Sequence, residues 1–428
     1  MERRVIRSQR LGEELVCIEH SSGLTMLLCP MQGFSTAYAT FTANIGSVDT
    51  CFKTQEDTDF VEVPEGVAHF LEHKMFENPE GDAFALYAKT GASANAYTSF
   101  DKTCYLFACT DQFEQSLEIL LDFVRRPYFT DASVQKEQGI IGQEIRMYDD
   151  DGDWRVMFNL LEALYQRHPV RIDIAGTVES IAKIDPELLY RCHRTFYNLN
   201  NMVLSIAGNF EIDTVLRVAD KVLKPDEKPV EIEHRSFAEP QEIGRPLVEQ
   251  KLQVAAPLFN LGFKEDSAGL SGNLKNRILD EMLCELLTGE ASPLYRRMYD
   301  AGIINATFGS SVMAGRDYMC TIFGGESREP EQVAQEIRAE VLRVQKEGIE
   351  PELFELVKRY FYGHYISMYT RPESMASLMT TTYLAQVEDS YSLLDLVAEV
   401  TQEQLEHRLR TAFDVERSAL SIIRPQEG

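Results

Sequence analysis

The sequence is 428 residues long, with 44% hydrophobic and 26% charged residues, a composition that excludes a wholly disordered chain. Its 68 acidic residues outnumber the 42 lysines and arginines, so the net charge is −26 and the basic footprint of a nucleic-acid binder is missing. No apolar run approaches the roughly 20 residues of a membrane span, and no signal-peptide core follows the N-terminus. The sequence also has no Cys-x-x-Cys pair. We therefore expect a cytoplasmic protein that engages no membrane.

Three β-rich runs open the chain between residues 14 and 48. Short turns separate these runs, and Ser21, Ser22 and Gly23 form the first of them. Runs of this kind, bounded by turn residues, indicate antiparallel strands that follow one another directly. We therefore expect a sheet to form ahead of the first helix.

Residues 66–78 carry the most informative pattern, His-x-x-Glu-His, formed by His69, Glu72 and His73. On a helix, residues four apart lie on one face, so the imidazoles of His69 and His73 can bind a single metal ion. Glu72 shares that face, while the apolar residues gather on the opposite one. This order is the inverzincin form of the zinc-peptidase motif. Two ordinary helical histidines are the alternative, but chance gives this pattern in only about one comparable chain in a hundred.

A short helix is predicted from Asp82 to Thr90, ended by Gly91, and residues 92–110 follow it as β-rich sequence. The first half of that stretch consists mainly of small side chains, beside which another backbone can lie closely. Two interpretations stay open at this point. The stretch is either an ordinary hairpin or an edge strand that pairs with a peptide substrate.

Residues 131–148 predict a helix that carries Glu137 and Glu144, seven positions and therefore about two turns apart. Both lie close to an apolar face, where a carboxylate needs a cation or a hydrogen-bonded histidine. A catalytic zinc ion typically takes three protein ligands, so two histidines leave one ligand to be found. Acids that reach solvent or an arginine are the alternative.

The second half repeats the element order of the first, and we predict an α+β protein of two similar α/β halves. The Pro-rich and charged residues 225–246 are the candidate linker. We therefore expect an N-terminal domain at 1–224, which bears the metal motif, and a homologous domain without it at 247–428.

These motifs together resemble the insulinase or pitrilysin family of zinc peptidases, over nearly the whole chain. The similarity is greatest to the half-length branch that includes the mitochondrial processing peptidase, and within it to the bacterial YmfH-type proteins. It rests on the following stretches: His-Phe-Leu-Glu-His at 69–73, Ser-Ala-Asn-Ala-Tyr-Thr at 93–98, Glu137 with Glu144, His-Pro ahead of Gly-Thr at 168–177, and Phe-Tyr-Asn-Leu-Asn-Asn-Met-Val-Leu at 196–204.

The resemblance implies a zinc-dependent endopeptidase that hydrolyses peptides or unfolded segments in an enclosed chamber, with one zinc ion per chain. It implies that Glu72 is the general base and that Glu137 contacts a zinc ligand without binding the zinc ion itself. The zinc ligands it implies are His69, His73 and Glu144. The substrate is expected to bind as an added strand along Ala94, Asn95, Ala96 and Tyr97.

The resemblance also bears on partners, because family members use an Arg and a Tyr of the C-terminal half to clamp the substrate. The matching positions here hold Tyr299 and Asn305, so the clamp is missing. We therefore expect a heterodimer in which a homologous subunit supplies the clamp. The alternative is a homodimer that uses Arg296 or Arg297 instead. A non-catalytic peptide-binding module and a structural core subunit of the same fold remain the other function classes.

Overall fold

The computed structural model describes residues 2–79, 81–225, 228–387 and 389–426. The strands are β1 Glu2–Arg7, β2 Glu14–Glu19, β3 Thr25–Pro30, β4 Ala37–Ala43, β5 Cys51–Thr54, β6 Val61–Glu62, β7 Glu77–Asn78, β8 Gly81–Asp82, β9 Ser93–Thr98, β10 Thr103–Cys109, β11 Met202–Gly208, β12 Ile232–His234, β13 Leu247–Leu252, β14 Leu258–Glu265, β15 Gly309–Ala314, β16 Met319–Glu326 and β17 Ser418–Pro425. The α-helices are α1 Val67–Met75, α2 Ala83–Thr90, α3 Phe113–Arg125, α4 Asp131–Asp149, α5 Gly152–Leu164, α6 Val178–Ile181, α7 Pro186–Phe196, α8 Ile212–Val222, α9 Gly269–Thr288, α10 Pro293–Asp300, α11 Pro330–Glu347, α12 Pro351–Tyr369, α13 Pro372–Leu384, α14 Ser392–Glu399 and α15 Gln402–Ala412.

These elements pack into two compact units, and neither unit is continuous in sequence. Unit 1 comprises Met1–Ile145, Asp173–Arg235 and Ile366–Ser392. Unit 2 comprises Arg146–Ile172, Ser236–Tyr365 and Leu393–Gly428. No helix in the described ranges has the length and apolar composition of a membrane span.

Unit 1 is built on a seven-stranded sheet in the order β1-β2-β3-β11-β4-β10-β9. All neighbours are antiparallel except β3 and β11. The three strands predicted before residue 48 are antiparallel and joined by short turns, but β3 and β4 are not neighbours in the sheet, because β11 lies between them. Every residue of β11 is buried, as expected for a central strand with both faces covered.

The outer face of the central strands in unit 1 is covered by α13, which packs on β3, β4 and β11. A buried hydroxyl network joins the helix to the sheet, since Thr380 Oγ1 donates to Ser205 Oγ at 2.8 Å and lies 3.0 Å from Thr40 Oγ1. The opposite face packs against the apolar side of α1 and against α3, within one continuous core. The metal motif therefore lies on a helix whose back is part of this core.

Unit 2 contains a five-stranded sheet in the order β13-β17-β14-β16-β15. It reproduces the order β3-β11-β4-β10-β9 of unit 1, and its one parallel pair, β13 with β17, matches the parallel pair β3 with β11. The prediction of two similar α/β halves is thus confirmed. Helix α5 covers this second sheet by packing on β14 and β17.

The units differ from a simple division of the sequence into residues 1–224 and 247–428. Helix α5 precedes the predicted linker but packs in unit 2, and α13 follows it but packs in unit 1. Helical periodicity indicates which face of a helix is buried, but not which sheet that face covers. Within the predicted linker 225–246, Ile232–His234 pairs with β5, and residues 226–227 lie outside the described part of the chain. The linear domain boundaries remain a prediction.

Candidate metal centre

The helix that carries the motif is anchored at its first turn by a close approach of the backbone. Gly66 precedes α1 with φ 87°, and a Cβ there would lie 2.3 Å from the carbonyl oxygen of Ala175. Only glycine tolerates this backbone conformation together with that contact. Phe70, Leu71 and Met75 are buried and face the core. The helix is thereby fixed both in position and in rotation, so the motif residues point to the opposite side.

Three side chains converge on that side and present ligand atoms to a common point. Potential ligand atoms of His69, His73 and Glu144 all lie within 4.8 Å of one another. The distance is 3.8 Å from His69 Nε2 to Glu144 Oε1 and 3.6 Å from His73 Nε2 to Glu144 Oε2. Ligand atoms around a tetrahedral zinc ion are ~3.4 Å apart, given bonds of about 2.1 Å. The three side chains therefore fit a zinc ion after only small movements.

Glu137 lies behind this group and orients one imidazole. Its carboxylate accepts a hydrogen bond from His73 Nδ1 at 3.0 Å, which leaves Nε2 directed at the common point. Burial acts to lower the pKa of His73, but the hydrogen bond to Glu137 and the charges of Glu144 and Glu72 outweigh it, so the net pKa is raised. A carboxylate bound to the far nitrogen of a ligand histidine is a common feature of metal sites, where it fixes the ring and its tautomer.

His69 differs from His73 in its surroundings. Burial, together with the proximity of His73, lowers the pKa of His69 to about 3. The imidazole is therefore neutral near pH 7, the form in which histidine binds metal. Its Nδ1 is buried and has no hydrogen-bond partner among the described residues. The set of two imidazoles and a carboxylate is one of the known donor sets of catalytic zinc.

Glu72 lies beside these ligands and is held by a residue that the sequence analysis did not single out. Thr98 Oγ1 donates to Glu72 Oε2 at 2.7 Å. Burial raises the pKa of Glu72, although the hydrogen bond from the Thr98 hydroxyl opposes that shift. Thr98 is the last residue of the 93–98 motif, and its hydroxyl at the end of a strand was the only sequence feature that could have indicated this contact. Because Thr98 and Glu72 are far apart in sequence, the motif alone does not predict that they meet.

A second unpredicted feature is Lys74, the residue after the motif. Its side chain is fully buried, and the ammonium group pairs with Glu77. A lysine beside a polar motif is ordinarily expected at the surface, since lysine is rarely fully buried unless it is paired. Burial acts to raise the pKa of Glu137, but the hydrogen bond from His73 outweighs it, so the net pKa is lowered. The positive charge of Lys74 adds to this lowering.

The candidate substrate residues Ala94, Asn95, Ala96 and Tyr97 lie on β9. This strand is the last of the seven-stranded sheet and pairs with β10 through residues 93–98. The two interpretations of this stretch prove compatible, because β9 and β10 form a hairpin and β9 is also an edge. Tyr97 is 39% exposed, and burial alternates along the strand. Because α1 packs against β9, this edge belongs to the same unit as the ligands.

The positions expected to hold the clamp lie in unit 2 and are exposed. Tyr299 stacks on Tyr295 with ring centroids 5.8 Å apart. Asn305 donates from Nδ2 to Glu326 Oε2 at 2.8 Å. Of the two candidate substitutes, Arg297 lies 3.8 Å from Glu336, and Arg296 is exposed.

Comparison with known proteins gives matches over nearly the whole chain. Family profiles match at residues 37–178, described as insulinase (peptidase family M16), and at 183–361, described as the peptidase M16 inactive domain. The uncharacterized zinc protease YmfH of Bacillus subtilis is 37% identical over 98% of this chain and 99% of its own length. The mitochondrial-processing peptidase subunit beta of Caenorhabditis elegans is 32% identical over 36% of this chain and 35% of its own. A crystal structure from Alicyclobacillus acidocaldarius, described as an M16-like peptidase, superposes with a TM-score of 0.92 at 34% identity, covering 99% of this chain and 98% of that one.

Proposed function

Because this chain belongs to the insulinase family, peptidase family M16, we propose that it is a zinc-dependent endopeptidase that hydrolyses peptides or unfolded segments. One observation carries the proposal: the potential ligand atoms of His69, His73 and Glu144 converge within 4.8 Å. Glu72 lies on the same helix as the two histidines and is not one of those three residues. The site therefore combines a metal-binding set with a further carboxylate outside that set, as metal-assisted hydrolysis requires.

Each residue has a distinct role in this proposal. His69 and His73 would hold the zinc ion through Nε2, and Glu144 through its carboxylate. A zinc ion bound there would polarise water and the substrate carbonyl, and so supply a nucleophile near neutral pH. Glu72 accepts the proton released by that nucleophile and passes it to the leaving amine. Glu137 keeps His73 in the tautomer whose Nε2 lone pair faces the metal.

The substrate class follows from β9 at the edge of the sheet. A peptide in extended conformation would pair with the backbone of Ala94 to Tyr97, and such pairing gives affinity with little selection by side chains. The small side chains of Ala94 and Ala96 leave room for the added strand. This mode of binding suits unfolded segments, because a folded protein has few unpaired extended stretches.

We propose further that a partner completes the site. Tyr299 and Asn305 stand where the family resemblance predicts the clamping Arg and Tyr, and neither side chain supplies a cation for an oxyanion. A homologous subunit with an intact clamp would provide that donor in a heterodimer. The C. elegans relative, named as a subunit of a processing peptidase, supports an assembly of this kind.

The decisive experiment compares the wild type with Glu72→Gln. We expect zinc content to stay near one ion per chain in both, because Glu72 is not a ligand. Cleavage of a mixed peptide pool, followed by mass spectrometry, should be abolished in Glu72→Gln. The matched control is Glu403→Gln, the same change at an exposed glutamate of α15, which should leave cleavage intact.

The second candidate function is a zinc-holding, peptide-binding module without turnover, and the residues at the clamp positions favour it for the isolated chain. In that case zinc and peptide bind normally, but no cleavage depends on Glu72 even when a clamp-bearing homologue is added. Equal cleavage by wild type and Glu72→Gln would contradict the proposed peptidase mechanism.

A further inference from the structure

We infer that Thr98 is a positioning residue for the general base, and this inference rests on the proposed function of Glu72. Thr98 is the last residue of β9, and its hydroxyl donates a hydrogen bond to the Glu72 carboxylate. The hydroxyl bond is 2.7 Å long, within the short range of charge-assisted hydrogen bonds. With Oε2 held in this way, Oε1 of Glu72 is the oxygen left to take a proton.

The direction of the Thr98 hydroxyl is set by its neighbour on β10. Thr103 is fully buried, and its hydroxyl donates to the carbonyl oxygen of Ile45 at 2.9 Å. The Thr98 and Thr103 hydroxyl oxygens lie 3.5 Å apart, so Thr103 is at most a weak partner. Glu72 is therefore the acceptor for the Thr98 proton. The Glu72 carboxylate is thus held by the Thr98 hydroxyl, and the position of Thr103 leaves that hydroxyl no better acceptor.

The backbone of Thr98 is fixed by the turn that follows it. Ser99 N donates to the carbonyl oxygen of Lys102 at 2.8 Å, and the turn is held from outside by residues 46–48. Ser47 N donates to the carbonyl of Ser99 at 3.0 Å, and Val48 N donates to that of Phe100 at 3.1 Å. A Cβ at Gly46 would lie 2.2 Å from the Phe100 oxygen, so only glycine allows this approach.

The loop of residues 46–48, which holds this turn, is itself anchored in the core by Asp49. Its side chain is fully buried, and Oδ2 accepts from Gly46 N at 2.8 Å. The other oxygen lies 2.8 Å from His234 Nδ1, on the strand that pairs with β5. A buried carboxylate that accepts from a backbone amide and lies against an imidazole supports the loop from inside the core. The chain of contacts from Asp49 through Gly46 and the turn to Thr98 thus leads to the base.

This arrangement makes a kinetic prediction that differs from that of a purely structural residue. A misplaced base slows proton transfer but does not remove the edge of β9 along which a substrate would pair. Loss of the hydroxyl should therefore lower kcat more than it changes KM. A hydrogen bond to a charged group corresponds to roughly a 10- to 100-fold change in rate.

The test compares Thr98→Val, which keeps the shape but lacks the hydroxyl, with Thr98→Ser, which keeps the hydroxyl. Each is assayed as the full chain with zinc, alone and with a clamp-bearing homologue. We expect Thr98→Val to retain zinc and its thermal midpoint, with kcat reduced ~10- to 100-fold and KM changed less than about threefold. Thr98→Ser should keep most of the activity. The matched control is Ser93→Ala at the other end of β9, which should behave as wild type.

A crystal structure of Thr98→Val provides a readout that does not depend on turnover. We expect the Glu72 carboxylate to leave its wild-type position while the zinc ligands stay in place. An unchanged Glu72 position, or an unchanged kcat in Thr98→Val, would overturn the inference. If instead Glu72→Gln cleaves peptides as well as the wild type, the proposed function fails, and Thr98 has no base to position.

Discussion

At the scale of single residues, the two glutamates of α4 have the same chemistry but different surroundings. Glu137 is 8% exposed and bonds the far nitrogen of His73. Glu144 faces Nε2 of both imidazoles, at 3.6 and 3.8 Å. Glu144 is therefore in position to bind a metal ion directly, whereas Glu137 would act on that ion through His73.

This difference predicts an order of metal affinities. His69→Ala and His73→Ala should lose most bound zinc, and Glu144→Gln should weaken binding strongly. Glu137→Gln should weaken it by a factor of only about 10 to 100, as is usual for a residue that supports a ligand. Zinc affinity measured by competition with a chelator checks the order. Equal losses in Glu137→Gln and Glu144→Gln would contradict the roles assigned to them.

At the scale of elements, β9 is both the last strand of its sheet and the strand that ends at Thr98. Its neighbour β10 pairs with one side of its backbone through residues 93–98, and on the other side no strand pairs with it among the described residues. In a strand, successive residues direct their groups to opposite sides, so only alternate amides of a bound peptide face β9.

The free edge predicts an alternating sensitivity to backbone methylation. N-methylation of a peptide amide that faces β9 should weaken binding roughly 3- to 10-fold, because a hydrogen bond is lost. Methylation of the next amide along the peptide, which faces away, serves as the matched control. Affinity is measured on Glu72→Gln, so that turnover does not interfere. Equal effects of methylation at both positions would argue against pairing with β9.

A second element depends on a buried ion pair in unit 2. Glu239, in the segment ahead of β13, accepts from Lys264 Nζ at 2.5 Å and from three successive backbone amides, those of residues 166 to 168. The Lys264 side chain is only 2% exposed. The pair therefore attaches this segment to β14 and to the end of α5, and its loss would leave a buried ammonium group without its carboxylate.

We expect Glu239→Gln to lower the free energy of unfolding by about 3 kcal/mol at pH 7, since breaking a buried pair typically costs 3 to 5 kcal/mol. Glu242→Gln, an exposed neighbour, should stay within about 0.5 kcal/mol of wild type. Urea denaturation measures both. A loss as small in Glu239→Gln as in Glu242→Gln would show that the pair does not anchor the segment.

The same pair predicts a pH dependence. Burial acts to raise the pKa of Glu239, but the hydrogen bonds from Lys264 and the three backbone amides outweigh it, so the pKa is lowered. A carboxyl with a lowered pKa contributes stability above its unfolded value of about 4.3 and loses it as the pH falls through the folded value. The stability difference between wild type and Glu239→Gln should therefore be full at pH 7 and shrink below about pH 4. A difference that stays constant down to pH 3 would contradict this account.

At the scale of the whole molecule, duplication of the sheet has left two halves with different chemistry. Unit 1 carries the histidines and glutamates of the metal centre. In unit 2 the guanidinium of Arg408 pairs with the buried carboxylates of Glu265 and Asp280, on β14 and α9. Within the described residues, the metal-ligating set of His69, His73 and Glu144 has no counterpart in unit 2. The described part of unit 2 thus contains a buried ion cluster but no such metal-ligating set.

The difference between the halves leads to a prediction about a partner. Purified alone, the chain should hold zinc but cleave peptides slowly, because loss of one oxyanion donor costs about 10² to 10³ in rate. Addition of a homologous subunit with an intact Arg and Tyr should restore cleavage by a comparable factor. Peptide cleavage is measured before and after mixing. Full activity of the isolated chain, abolished by Arg296→Ala or Arg297→Ala, would instead establish the homodimer alternative.

The sequence by itself determined the local features of this protein. The spacing of His69, Glu72 and His73 predicts a helix with one chemical face, and the seven-residue interval from Glu137 to Glu144 puts both acids on one face, about two turns apart. Both follow from the 3.6-residue period, which is a property of the backbone alone. The repeated order of elements likewise indicated two similar halves before any contact was known.

Only the tertiary structure decided which elements meet. The insertion of β11 between β3 and β4, the packing of α5 and α13 in the other half's unit, and the bond from Thr98 to Glu72 all join residues far apart in sequence. Hydrophobic periodicity is the same whichever apolar surface a strand or helix covers, so it does not specify the partner. Burial and hydrogen bonding of the whole chain select among these pairings, and the environment of Glu72 is set by that selection.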